Sequence, residues 1–137
     1  MALPKLNTAH YELKVPSTGK TIEYRPFLVK EEKILLMALE GEEEKEMAKA
    51  IKQILSQCVL TENFKIDNLA LVDVEYIFLK VRGKAVGDKS KIFIVCTECE
   101  NKVEIELDLE EIKINTHKDH TDLIKLTDDI QVRMVPP

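Results

Sequence analysis

Cys96-Thr97-Glu98-Cys99 is the one stretch of this 137-residue chain whose side chains and spacing point to chemistry. Two thiols with two residues between them match a zinc knuckle, in which a tight turn aims two thiolates at one tetrahedral ion. A closed structural site needs four ligands, so this pair is half a motif. The best second pair is His117 and His120, which would give C-x2-C-x17-H-x2-H if two turns met at one end of a small sheet. The competing reading makes both cysteines reduced thiols at a hairpin and both histidines loop residues, and a single CxxC fits either. Redox chemistry of the thioredoxin kind fits less well, because that CxxC opens a helix and this one joins two strands. The expected cofactor is none, or a structural zinc.

Other reactive side chains have simpler explanations. Cys58 falls on an apolar helical stripe, where a buried thiol acts as a small hydrophobe. His10 begins a strand with no nucleophile or acid at a recognisable spacing. Glu104, Glu106 and Asp108 alternate along a strand, which places them nearly 7 Å apart at about 3.3 Å of rise per residue and suits a solvated face better than a cation site. The chain contains no glycine-rich phosphate loop, no G-x-S-x-G and no H-E-x-x-H. An enzyme is not expected.

The cysteine pair must be positioned by Lys91–Leu109, KIFIVCTECENKVEIELDL, which reads as two strands folded back over the CTEC turn. Ile92 and Ile94 point one way, Phe93 and Val95 the other. Beyond the turn, Val103, Ile105, Leu107 and Leu109 alternate with carboxylates, giving one dry and one wet face and a firmly set register.

Upstream, Tyr11–Val15 and Thr21–Tyr24 alternate around Pro16-Ser17-Thr18-Gly19-Lys20, which predicts a β-hairpin. Helices are predicted over about Lys30–Glu40, from about Glu42 through Cys58, and over Leu69–Val86. The second draws an apolar stripe of Met47, Ala50, Ile51, Ile54, Leu55 and Cys58. The third is apolar nearly all round and should be the spine of the fold. Phe64 and Ile66 should pin the connection between them to the core. Downstream, Glu111–Asn115 continues extended, and Asp122–Leu126 and Ile130–Val135 read as two strands around Thr127-Asp128-Asp129.

The expectation is an α+β fold in one domain, 1–137: an N-terminal β-hairpin, three helices, then an antiparallel sheet built around the CxxC hairpin at residues 91–109. Residues 1–9 form a flexible or docking arm carrying Leu3 and Leu6.

Twenty basic residues against twenty-five acidic ones leave a net charge of −5, with seven carboxylates against Lys102 alone over residues 98–111. No clustered basic excess is available for a nucleic-acid backbone. No run of about 18 apolar residues is long enough to span a membrane. MALPKLNT lacks the basic and apolar regions of a secretory signal, so a reducing cytoplasm is expected. The apolar third helix, the arm and the final strand are more apolar surface than an isolated domain covers easily, which favours a protein held by others.

MALPKLNTAHYELKVPSTGKTIEYRPFLVKEEKILLMALE, then VEYIFLKVRGKAVG, the CTEC hairpin with IELDLEEIKI, and finally IKLTDDIQVRMVPP resemble, in that order, the T4-type phage baseplate protein family, in particular its baseplate hub subunit. PSTGKTIEYRPFLVKEEKILL and LTDDIQVRMVPP are the most specific parts. The resemblance implies a contractile-tail protein that acts in hub assembly without catalysing a reaction, in an oligomer or hetero-complex with other hub proteins. It implies the host cytoplasm during assembly and the virion tail baseplate afterwards. The chain ends where members of the family carry a further C-terminal segment. The family supplies no catalytic residues to carry over, and no metal site is transferred from it.

Overall fold

The computed structural model describes residues 8–41, 43–135 and 137. Leu3, Leu6 and most of the expected arm therefore lie outside the described residues.

Strands β1 (Tyr11–Lys14) and β2 (Thr21–Tyr24) pair antiparallel, with Leu13 opposite Ile22 and Tyr11 opposite Tyr24. Gly19, at φ +66°, closes the turn by donating its N–H to the Val15 carbonyl at 2.8 Å. A Cβ is disfavoured in that left-handed conformation, which explains the glycine. The chain then passes Pro26, which has no N–H for a sheet ladder, and enters helix α1 (Val29–Glu40). Glu31, in the first turn, accepts the Leu28 N–H at 2.8 Å and so satisfies one of the donors a helix start leaves open.

Helix α2 (Glu44–Cys58) buries Ala50, Ile54, Leu55 and Cys58 at the spacings of three and four that the sequence shows. The segment after it returns beside β2: Arg25 donates to the Cys58 carbonyl at 2.9 Å and Leu60 to the Glu23 carbonyl at 2.8 Å. A short 3-10 turn, Ile66–Asn68, buries Ile66, and Phe64 packs against the core as expected. Helix α3 (Leu71–Val86) follows, with Val74, Ile77 and Val81 buried.

The core is made by these pieces. Val15, Ile22 and Tyr24 of the first hairpin meet Ile54, Leu55 and Cys58 of α2 and Val74, Ile77 and Val81 of α3. Two carboxylates are buried with them. Asp73 is held by Ser17, and Glu31 pairs with Arg25 at 3.0 Å.

Strands β3 (Lys89–Val95) and β4 (Lys102–Asp108) form the second hairpin, with Ile92 opposite Ile105 and Ile94 opposite Val103. Strands β5 (Leu123–Lys125) and β6 (Gln131–Arg133) form the third. The α+β class and the order of hairpin, three helices and antiparallel hairpins are as the sequence predicts. The helical layer, however, packs on β1–β2 and not on a sheet around residues 91–109. The described strands form three separate two-stranded sheets, and neither later hairpin contributes to the core cluster. Glu111–Asn115 forms no regular strand.

Candidate functional site

The second hairpin is anchored at its base and free along its length. Leu109 donates its N–H to the Asp88 carbonyl at 2.7 Å and is itself buried. Lys80 Nζ donates to the carbonyls of Leu109 and Glu110 at 2.9 and 2.8 Å. Lys84 pairs with Glu110, which raises the lysine above its ordinary pKa. Seven-residue strands at about 3.4 Å per residue then carry the CTEC turn roughly 20 Å from this anchor.

The hairpin has one mixed face, where Phe93 and Val95 stand exposed beside charged groups, and one aliphatic face. On the first, Lys89 pairs with Glu106 at 2.8 Å and Lys91 with Glu104 at 2.7 Å, so the carboxylate row read as solvated is a cross-strand ion-pair ladder. The Lys89 ammonium holds Glu106 below the usual carboxylate range. The other face is aliphatic at the opposed pairs Ile92–Ile105 and Ile94–Val103 and at Leu107, which lies opposite Ser90. It is open to solvent: Ile92 is 38% exposed, Ile94 49%, Val103 54% and Leu107 38%. A two-stranded hairpin with one uncovered apolar face is at best marginally stable in water, and a third strand or a covering element is what steadies it.

The third hairpin repeats the arrangement. Ile124 lies opposite Val132, Leu126 donates its N–H to the Ile130 carbonyl at 3.0 Å, and all four side chains are exposed. Exposed apolar groups recur on α1 at Val29, Leu36, Met37 and Leu39.

Between the helices lies a cavity of about 470 Å³. Leu39, Met47, Ile51, Leu71, Phe78 and Leu79 line it, with Glu43, Glu44 and Glu75 against Lys52 and Arg82 as its charged groups. Among its described lining residues there is no cysteine, histidine, serine or aspartate. The volume suits a few apolar side chains, and the lining offers hydrophobic contact and a mixed-charge margin for orientation.

At the hairpin tip, the amides of Cys99 and Glu98 and the Cys99 thiol hydrogen-bond to the Cys96 sulfur and hold Cys96 below the ordinary thiol pKa. The structure thus brings Cys96 and Cys99 together. His117 and His120 share a different turn, closed by the His120 N–H on the His117 carbonyl at 3.1 Å. Among the described residues, no three or more His, Cys, Asp and Glu side chains gather as a metal cage. Cys58 is fully buried, and burial pushes its thiol up to about 11. His10 bonds Glu23 at 2.8 Å.

Three features escaped the sequence reading. They are the exposed face of α1 at Leu36, Met37 and Leu39, the burial of Asp73, and the anchoring of the hairpin by Lys80. Lys80 is not marked out in the sequence, because α3 also carries the cations Arg82 and Lys84.

No helix of the described residues is long and apolar enough to cross a membrane. No curated protein and no solved structure gives a match to the chain. A family model described as T4 bacteriophage base plate protein matches residues 8–137, from the residues preceding β1 to the end of the chain. The matched span takes in the core, the cavity and both solvent-exposed hairpins, and the chain belongs to the T4 bacteriophage base plate protein family.

Proposed function

We propose that this baseplate protein works in assembly of the baseplate hub, by binding other hub proteins and without catalysing a reaction. The observation that carries the reading is the uncovered aliphatic face of β3–β4, where Ile92, Ile94, Val103 and Leu107 lie open although the alternation of Val103, Ile105 and Leu107 with carboxylates is that of a face built to be covered. Contiguous apolar surface of this kind is what a protein–protein interface core requires, and a covering partner would also steady the hairpin. The third hairpin and the helical cavity extend the apolar surface over other parts of the molecule. Several separated patches fit a subunit lodged among several neighbours in a hetero-complex. Assembly would take place in the host cytoplasm, before the particle is complete.

The test is affinity capture of the tagged chain from phage-infected cells, with the captured proteins identified by mass spectrometry. Hub components should dominate, and Ile94→Asp with Val103→Asp should lose them. Recovery of peripheral baseplate proteins without hub components would refute the hub role while leaving the family membership intact.

A further inference from the structure

The CTEC turn is shaped as a ligand turn. Cys96 donates its N–H to the Asn101 carbonyl at 3.0 Å, and Glu100 donates to the Cys96 carbonyl at 3.0 Å, so the six residues fold into one tight loop. Glu100 takes a φ of +55°, a left-handed conformation disfavoured for a residue with a Cβ. These two backbone hydrogen bonds close the loop at Cys96 and keep Cys99 on the same turn. A tight turn that carries two cysteines two residues apart is the arrangement by which a zinc knuckle presents two thiolates to one ion.

Zinc held by thiolates is four-coordinate, and the turn supplies two ligands. No third His, Cys, Asp or Glu side chain joins them among the described residues, so two positions remain to be filled from elsewhere. The turn stands at the tip of a projecting hairpin, where Cys99 is exposed and a second tip can approach. A two-fold axis through the ion fills the vacant positions with ligands of the same kind at the same spacing.

We infer that the CTEC turn is half of an intermolecular zinc site, in which one Zn²⁺ is held by Cys96 and Cys99 from each of two copies of this chain. Four thiols release their protons to solvent as four Zn–S bonds form. No electrons are transferred and no protein bond breaks. Glu98 and Glu100 flank the cysteines, so two tips bring four carboxylates near one axis, and their repulsion keeps the copies apart until the dication binds. The open Ile94–Val103 pair adjoins the turn and gives the joined copies apolar surface to bury.

The test uses the chain of residues 1–137 purified under reducing conditions, with and without added zinc. Bound metal is measured by elemental analysis, mass by light scattering, and ligand type by the absorption of the Co²⁺-substituted protein. The expected result is about one zinc ion for every two chains, a doubled mass and tetrahedral thiolate bands. EDTA, Cys96→Ser and Cys99→Ser should each remove the metal and restore the monomer, with circular dichroism unchanged because the turn lies outside the core. The paired His117→Ala and His120→Ala variant should bind and dimerise as the wild type does. Zinc bound to monomers and lost in the histidine variant would overturn the inference in favour of ligands from one chain. Failure of the reduced wild type to retain zinc, or a dimer that survives EDTA, would overturn it outright.

Discussion

The carboxylate of Asp73 accepts two hydrogen bonds from Ser17, one from its backbone N–H at 3.0 Å and one from its hydroxyl. Ser17 lies in the turn of the first hairpin and Asp73 in the first turn of α3, 56 residues along the chain. Asp73 is fully buried, so this single side chain ties the β1–β2 turn to the helix that forms the far side of the core. The carboxylate also sits at the positive end of the helix dipole, where negative charge is favoured.

Asp73→Ala should cost about 3 kcal/mol of unfolding free energy, because it leaves the Ser17 N–H without its acceptor and removes a charge-assisted bond. Ser17→Ala keeps the backbone bond and should cost only about 1 kcal/mol. Urea titration of both single variants and the double variant measures the coupling. Additive losses would show that the two residues do not act together.

Glu31 governs the acid limb of stability. Burial alone would raise its pKa, but hydrogen bonds from Arg25 and from the Leu28 N–H outweigh burial and hold it below the ordinary 4.5. A carboxylate depressed in the folded state contributes stability that is present above its unfolded pKa and is lost as pH falls through the lower, folded value. Stability should therefore decline as pH drops below about 4.5. Glu31→Gln should flatten that decline and cost about 3 kcal/mol at neutral pH, since it leaves Arg25 partly buried without its counter-ion. Denaturant titration across this range checks both effects.

Local structure was legible wherever one signal dominated. Gly19 between two alternating runs marks the first hairpin, and Ala50, Ile54, Leu55 and Cys58 mark the buried stripe of α2. Thr127-Asp128-Asp129 marks the third hairpin in the same way. What periodicity does not encode is whether an apolar face is covered by its own chain. Val103, Ile105 and Leu107 alternate with carboxylates as a core strand would, yet the cover they imply is absent from the chain's described residues. The candidate site divides along the same line. Cys96 and Cys99 meet because a turn of this spacing is local, whereas joining them to His117 and His120 depends on tertiary placement that spacing leaves open. Glu31 shows the converse: helical spacing places a carboxylate in the first turn, where the dipole favours it, but its partner Arg25 lies six residues away across Pro26 and is not legible from that spacing.

The three thiols should react very differently. Cys58 is fully buried with its thiol pushed up to about 11, so almost none is thiolate at neutral pH and reagent cannot reach it. Cys96 is held below its ordinary value and Cys99 is exposed. Metal-free native protein treated briefly with iodoacetamide should gain two adducts, at Cys96 and Cys99, and a third only after unfolding. Peptide mass mapping reads the sites directly. Early labelling of Cys58 would mean that the α2 packing opens readily.

The position of the second hairpin predicts a separation of stability from binding. Ile77 is fully buried in α3, and Ile77→Asp places an unpaired charge among Val15, Ile22 and Leu55, which should cost more than about 4 kcal/mol and unfold much of the protein. Val103 is more than half exposed, with only Ile94 opposite it across the hairpin. A charge at Val103 keeps its water, so Val103→Asp should change global stability by less than about 1 kcal/mol, through β-propensity and one cross-strand contact. The same carboxylate would interrupt the aliphatic face that a baseplate neighbour must cover, where an unpaired charge is costly once water is excluded. Thermal melting of the free protein together with capture of its partners distinguishes the cases. A near-normal melt with lost capture is expected. A melt that collapses as far as that of Ile77→Asp would mean that the hairpin belongs to the core and that its open face is not an interface.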